Sequence, residues 1–314
     1  MDQTKKVKIP KTKEHKFGKY FRQHYLLYLM LLPGALYFII FKYIPMGGIV
    51  IAFQNYSPYL GISESQWVGF MHFKNFFAGQ DFGKLLMNTL AISFLNLLFY
   101  FPMPIIIALF LNEIKHPLYK KTIQTLVYIP HFVSMVVVAS LTYTLLNEGD
   151  GIVNQVIGTM TGKTIPFMSD PKYFRPMIIG QSIWKETGYG TIIFLAALAG
   201  VDIQLYEAAK VDGAGRWKQM WHITLPSIKG TIIIMLILRV GSILNTGFEQ
   251  LFLMTNSLNR SVAEVFDTFV YRVGITQGSF SYSTAVGLFK GIVGTVMVLS
   301  TNWFAKKMGE SGIY

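Results

Sequence analysis

The 314 residues are 52% hydrophobic and only 14% charged, yet 28 Lys and Arg oppose 16 Asp and Glu, for a net charge of +12. A nucleic-acid binder is basic because it is rich in charge; this chain is basic while falling well below the roughly 25% charged residues of a soluble domain. The apolar mass excludes disorder, the absence of Cys excludes disulfide scaffolds, thiolate metal sites and thiol nucleophiles, and a membrane protein is what remains.

The chain begins with a basic tail, residues 1–24, carrying Lys5, Lys6, Lys8, Lys11, Lys13, Lys16, Lys19 and Arg22. Six stretches then meet the requirement of about 20 mostly apolar residues for a spanning helix, at about 25–53, 85–111, 122–146, 174–200, 228–254 and 281–305. Pro33, Lys42 and Pro45 interrupt the first, which is read as a span rather than a cleaved signal because no small-residue cleavage site follows it. Pro102 and Pro104 lie in the second; membrane helices tolerate them where neighbours re-satisfy the freed carbonyls. The run from Thr231 to Leu238 does not alternate as a barrel strand would. With the N-terminus inside, 17 Lys and Arg fall on inner segments and seven on outer ones, so both termini are expected in the cytoplasm. The tail is read as a topology determinant that can also meet anionic membrane lipid. Outer loop 54–84 carries Trp67, Phe70, Phe73, Phe76 and Phe77 and is expected to fold back on the membrane surface as a short amphipathic piece.

Between the fourth and fifth spans an inner loop runs Glu207-Ala208-Ala209-Lys210-Val211-Asp212-Gly213-Ala214, then on to Ile223-Thr224-Leu225-Pro226. Leu205 to Asp212 reads as a short helix with Glu207 near its start, where the helix dipole favours an acid. Gly213 permits a left-handed turn. A second short helical piece follows, and Pro226 suits the first turn of the next membrane helix. The loop is therefore a helix–turn–helix elbow on the cytoplasmic face, with Ala208 and Ala209 leaving a smooth surface for a partner. In the last span, Gly287, Gly291 and Gly294 form a small-residue face suited to close helix packing.

The elbow resembles the cytoplasmic signature of binding-protein-dependent ABC importer permeases: Glu-Ala-Ala, three residues, Gly, nine residues, Ile, one residue, Leu-Pro. Gly213, Ile223, Leu225 and Pro226 fall on it without a gap. The wording Asp212-Gly213-Ala214 and Ile223-Thr224-Leu225-Pro226 is similar to the sugar-importer branch. Lys42-Tyr43-Ile44-Pro45, Tyr128-Ile129-Pro130-His131-Phe132, Asp170-Pro171-Lys172-Tyr173-Phe174-Arg175-Pro176, Ile183-Trp184-Lys185-Glu186, Gly247-Phe248-Glu249-Gln250 and Val270-Tyr271-Arg272-Val273-Gly274 resemble the permeases for oligosaccharides and polysaccharide fragments.

That resemblance implies an all-α membrane protein with six transmembrane helices, the type I ABC importer permease fold and cytoplasmic termini. It divides the chain into the tail 1–24, a permease domain 25–306 containing the coupling loop 201–227, and a C-terminal end 307–314. The chain would be a multi-pass protein of the bacterial plasma (inner) membrane, paired with a second homologous permease as a heterodimer. Two cytoplasmic ATPase subunits would dock below and an extracellular lipoprotein binding protein would deliver an oligosaccharide. Glu207, Ala208, Ala209, Asp212, Gly213, Ala214, Ile223, Leu225 and Pro226 would couple to an ATPase. The chain carries no phosphate loop of the G-x-x-x-x-G-K-[ST] type and no cofactor of its own; ATP and Mg would be bound by the ATPase partners, and the chain is expected not to be an enzyme.

Six ionisable residues lie inside the predicted spans: Lys42, Lys185, Glu186, Arg239, Glu249 and Lys290. Such residues face cavities or one another. One reading pairs Glu186 or Glu249 with Arg239 or Lys290. The other lines a sugar path with Trp184, Glu186 and Tyr189 before the elbow, Arg239, Ser242, Asn245, Phe248 and Glu249 after it, and Lys290 in the last span. Asn245 and Glu249, four apart, would share a helix face. Two further functions compete. A secondary transporter has more helices and repeated halves, and a membrane glycosyltransferase has a large carboxylate-bearing soluble region; neither feature is visible. The six His are scattered, with no metal or catalytic motif and nothing that points to nucleic acid.

Overall fold

Proline and glycine placement decides where the apolar helices run straight and where they turn. The computed structural model describes residues 21–307 and 309; the tail from Lys5 to Lys19 and most of the 307–314 end lie outside the described residues. Two compact units divide at Val50 and Ile51. In the first, α1 (Tyr25–Phe38) carries Pro33 and buries none of its residues. It is apolar on every side, the surface a lipid-facing helix presents. A π turn over Ile39–Tyr43 follows, where Lys42 is exposed.

The second unit opens with an antiparallel pair, β1 (Gln54–Asn55) and β2 (Gln66–Trp67), in the register Gln54 to Trp67. Helix α2 (Met71–Ala78) completes the aromatic loop. This piece is amphipathic, as expected, with one aromatic face turned into the protein. Trp67, Phe70 and Phe77 are exposed, but Phe76 is 1% exposed and packs against Phe82, Phe266 and Phe289. An aromatic ring that reaches other rings gains more from burial than from the interface.

Helix α3 (Gln80–Leu95) passes through a π turn, Asn96–Tyr100, into α4 (Pro102–Glu113). The wide turn, with Phe101 N–H donating to Asn96 O at 3.0 Å, lets the helix continue across two prolines that have no N–H to offer. The third predicted span, 122–146, is not one helix. Helix α5 (Pro117–Tyr128) ends in a 3-10 segment, Ile129–Phe132, and α6 (Met135–Leu146) leaves at 96°. Pro130 removes a donor, and Ser134 starts the new helix by accepting from Val137 N–H at 3.3 Å.

Helix α7 (Ile152–Thr161) precedes the long α8 (Pro171–Ala199), which bends by 71° into α9 (Ile203–Val211). The short α10 (Arg216–Gln219) leads through a π turn, Met220–Thr224, and the turn Leu225–Ser227 to α11 (Lys229–Gly241), bent by 58°. The fifth predicted span, 228–254, breaks after Gly241: residues 242–247 are not helical, and α12 is Phe248–Met254. Gly247, at φ +88°, takes a backbone region closed to most side chains. Helices α13 (Phe266–Tyr271) and α14 (Phe280–Lys307) finish the unit. Among the described residues three helices are long and apolar enough to cross a membrane, or up to six if each bent pair is one span.

Three apolar clusters hold these pieces. Ile92, Ala139, Phe174, Ile178, Leu251 and Met254 join α3, α6, α8 and α12. Phe76, Leu85, Phe266, Phe269 and Val286 join α2, α3, α13 and α14. Ala108, Phe194, Leu198 and Ile228 join α4 to the end of α8 and the start of α11. On α14, Gly294 approaches the carbonyl of Gly241, while Gly287 and Gly291 face open space. The predicted small-residue face is thus used for packing inside this unit at one of its three positions.

Candidate functional site: a coupling elbow and a polar cavity

The elbow forms with its ends capped. Asp202 accepts from Gln204 N–H at 2.9 Å and starts α9, so the helix begins earlier than the expected Leu205. Glu207 therefore lies in the middle of α9 rather than in its first turn. The far end closes as a Schellman motif: Ala214 N–H donates to Ala209 O at 2.8 Å and Gly213 N–H to Lys210 O at 3.1 Å, with Gly213 at φ +76°. Tyr206 O–H to Thr224 Oγ1 at 3.0 Å and Gln219 Nε2 to Ala214 O at 2.7 Å tie α9 to the return segment. Held this way, Glu207, Ala208, Asp212, Gly213 and Pro226 are exposed, Ala209, Ala214, Ile223 and Leu225 half-buried. Val211, at the tip, is 88% exposed. The elbow is thus a capped turn that presents apolar, acidic and basic groups.

A cavity of about 460 Å³ opens where two helix irregularities meet the continuous helix α8. The π turn supplies Asn96 and Tyr100, α8 supplies Gln181, Ser182, Lys185 and Glu186, and the break after α11 with the start of α12 supplies Asn245, Thr246, Phe248, Glu249 and Gln250; Arg239, on the last turn of α11, also faces it. Irregular backbone at these points frees polar groups that continuous helices would consume. Gln250 Nε2 donates to Ile178 O and to Gln181 Oε1, each at 2.9 Å, stitching α12 to α8. Among the described residues, Asn96 Oδ1 and Thr246 Oγ1 are buried without a hydrogen-bond partner, and both residues line the cavity.

The charged wall is organised by the bend after α5. Lys185 Nζ donates to the carbonyls of His131 at 2.6 Å and Val133 at 2.8 Å. His131 Nδ1 meets Glu186 Oε2 at 2.8 Å, and the Tyr189 ring stacks on the imidazole at 4.1 Å between centroids.

Of the predicted path residues, the structure gathers Glu186, Arg239, Asn245, Phe248 and Glu249 at this cavity. Ser242 lines an adjoining cavity, and Tyr189 reaches the cluster through His131. Asn245 and Glu249 do not share a helix face, because the break separates them. Trp184 faces elsewhere, onto an apolar groove between α6 and α8 lined by Val138, Leu141 and Met177. Lys290 does not line the cavity: it pairs with Asp267 on α13. The expected pairing of Glu186 or Glu249 with Arg239 or Lys290 is replaced by Glu186 with His131 and Lys185, because the bend carries His131 onto α8. Asn96, Tyr100, Gln181, Lys185 and Gln250 line the wall in addition to the expected path residues. Their legible signal is polarity inside apolar runs.

Residues 100–310 match the family described as binding-protein-dependent transport system inner membrane component. Protein LplB of Bacillus subtilis (strain 168) is 59% identical over 288 residues, covering 92% of this chain and 91% of its own. The polygalacturonan/rhamnogalacturonan transport system permease protein YteP of the same organism is 55% identical over 296 residues, 94% of this chain and 92% of that protein. A chain of a bacterial ABC transporter involved in the import of the acidic polysaccharide alginate superposes with a TM-score of 0.86 at 40% identity, over 93% of this chain and 99% of that one. A chain from the alginate transporter in complex with alginate pentasaccharide-bound periplasmic protein gives 0.87 at 39% identity, over 95% and 100%. The chain belongs to the family of binding-protein-dependent transport system inner membrane components.

Proposed function

We propose that the chain is the permease subunit of an ATP-driven importer that takes an oligosaccharide from an extracellular binding protein and passes it across the bacterial inner membrane. In this reading each bent pair contributes one span, giving six, with α9 and α10 in the elbow outside the membrane, both termini in the cytoplasm and residues 25–306 as the permease domain between the tail and the C-terminal end. A second, homologous permease completes the path as a heterodimer. Two ATPase subunits bind and hydrolyse ATP with Mg, and one of them receives the elbow 201–227.

One observation carries the reading. Helix α8 holds Gln181, Ser182, Lys185 and Glu186 at the cavity wall and runs unbroken to Ala199, just before the elbow. The segment from Glu186 to Ala199 spans about 20 Å at 1.5 Å per residue. A stiff rod of that length transmits displacement of a docked elbow to the polar cavity without any group on this chain performing chemistry. The names of the relatives, which speak of polygalacturonan, rhamnogalacturonan and alginate, support a saccharide cargo, and a cavity lined by neutral amides, hydroxyls, aromatic rings and a few charges suits one.

The test is uptake of labelled oligosaccharides into proteoliposomes holding the whole transporter, with binding protein outside and ATP inside. Uptake is expected to need both. Uptake that follows a proton or sodium gradient without ATP would instead establish a secondary transporter, and consumption of a sugar nucleotide a glycosyltransferase.

A further inference from the structure

Arg239 closes α11 at the edge of the helix break and is half-buried. Among the described residues no carboxylate lies within ion-pair distance of it; its guanidinium sits over the Tyr100 ring, 5.2 Å from the centroid. A guanidinium at membrane depth is costly unless it meets a polar cavity or an anion. The other charges beside it are differently placed. Lys185 is taken up by two carbonyls, Glu186 by His131 and Lys185, and Glu249 faces only the larger cavity.

A second cavity, of about 230 Å³, shares Tyr100 and Arg239 with the larger one. Its wall includes Tyr100, Phe101, Phe194, Met235 and Ser242, and Arg239 is its one charged lining residue. Gly190 keeps this wall open: a Cβ there would stand 2.9 Å from Pro104 Cγ and 3.6 Å from the Tyr100 hydroxyl. The chemistry is that of a ring with one acid. Aromatic faces take the C–H side of a pyranose, the Ser242 hydroxyl takes a sugar hydroxyl, and a guanidinium binds a carboxylate through two parallel N–H donors while its plane still rests on an aromatic ring.

We propose that this second cavity is a subsite for a carboxylated sugar ring, a uronate, whose carboxylate is gripped by Arg239. The proposal rests on the oligosaccharide reading above and deepens it: the cargo is acidic, and Arg239 is a specificity-determining residue. A neutral ring would leave the guanidinium desolvated and unpaired, and is discriminated against for that reason.

The experiment uses the whole transporter in lipid nanodiscs, with Ser242→Cys, and separately Met235→Cys, as reporters in a chain that has no Cys of its own. The first measurement is the ratio of modification rates by an anionic and a cationic methanethiosulfonate reagent. Replacing Arg239 by Gln is expected to lower that ratio about tenfold, since one fixed charge at contact range in a partly desolvated cavity has that reach. The second is protection of the reporter by trigalacturonate or by neutral galactotriose. Trigalacturonate is expected to protect at concentrations about tenfold lower, R239Q to erase the difference and R239K to keep part of it. Equal protection by the two sugars with Arg239 present, protection by neither, or a preference untouched in R239Q overturns the subsite. A transporter that imports no oligosaccharide at all defeats the function reading instead, and is scored separately by uptake.

Discussion

Lys185 holds the backbone carbonyl of His131 at 2.6 Å, and through it the 96° bend between α5 and α6. The segment Ile129–Phe132 ends a helix at Pro130, so its last carbonyls have no helical donor. The ammonium supplies one for His131 and one for Val133. One turn of α8 grips the bend three ways: Lys185 by its carbonyls, Glu186 by the His131 imidazole, and Tyr189 by the ring face.

Replacing Lys185 by Met keeps the apolar stem but leaves two carbonyls unpaired. Unmade bonds to a charged donor cost about 2 kcal/mol, so K185M is expected to lower the thermal midpoint of the purified transporter. Glu186→Gln, which keeps a hydrogen-bonding group toward His131, is expected to lower it less. Equal midpoints for wild type and K185M would mean that the clamp contributes nothing.

Gly188 is the second anchor of that contact. A Cβ on it would lie 2.0 Å from the carbonyl oxygen of Val127 and 3.0 Å from Tyr128 Cα, both backbone atoms of a helix that cannot yield by a rotamer change. Gly188→Ala should therefore separate α5 from α8 at a cost of about 3 kcal/mol, the upper end for overpacking, and cut the yield of assembled transporter. Gly180→Ala, where the new Cβ meets nothing within 4 Å, is the control expected to assemble normally. Equal yields from the two would remove the close-approach argument.

The sequence made the membrane class, the apolar stretches and the elbow legible, because each depends on local composition or fixed spacing. The breaks were not. The run 122–146 is apolar enough for one helix, and nothing in hydropathy distinguishes a proline that a helix absorbs, as at Pro102 just after a π turn, from one at which it turns, as at Pro130. What separates them is a partner far along the chain: Lys185 is there to take the carbonyls freed beside Pro130. Gly247 likewise reads as an ordinary glycine until its φ of +88° places Asn245 and Glu249 on different pieces of backbone. Side-chain pairing failed for the same reason, since which acid meets Lys290 is set by how α13 and α14 cross.

That pair yields a prediction of its own. Lys290 and Asp267 bond across α13 and α14 with both side chains largely buried. Removing one partner strands the other charge, at about 3 kcal/mol, so Lys290→Met and Asp267→Asn should each destabilise the purified transporter. Joining Lys290→Met with Asp267→Asn should recover part of the loss, and the double-mutant cycle reads the coupling directly. Additive losses would mean the two residues act independently. Because neither residue lines the cavity, uptake by molecules that fold should be unchanged in all variants.

The elbow separates structural from docking roles residue by residue. Gly213 has a positive φ but open space around its Cβ, so Gly213→Ala costs only backbone strain, about 1 kcal/mol, and the chain should still fold. The cost falls on the Schellman turn, which sets the angle between α9 and the return segment through Ala214 N–H and Gln219. Glu207 is exposed, and among the described residues its side chain makes no hydrogen bond or ion pair, so Glu207→Gln should leave stability within about 0.5 kcal/mol. In the reconstituted transporter G213A is expected to leave ATP hydrolysis running while uptake falls, because the turn transmits motion. E207Q is expected to lower both, because it weakens docking itself. Uptake at the wild-type rate in both variants, with assembly intact, would show that force reaches α8 by some route other than this turn.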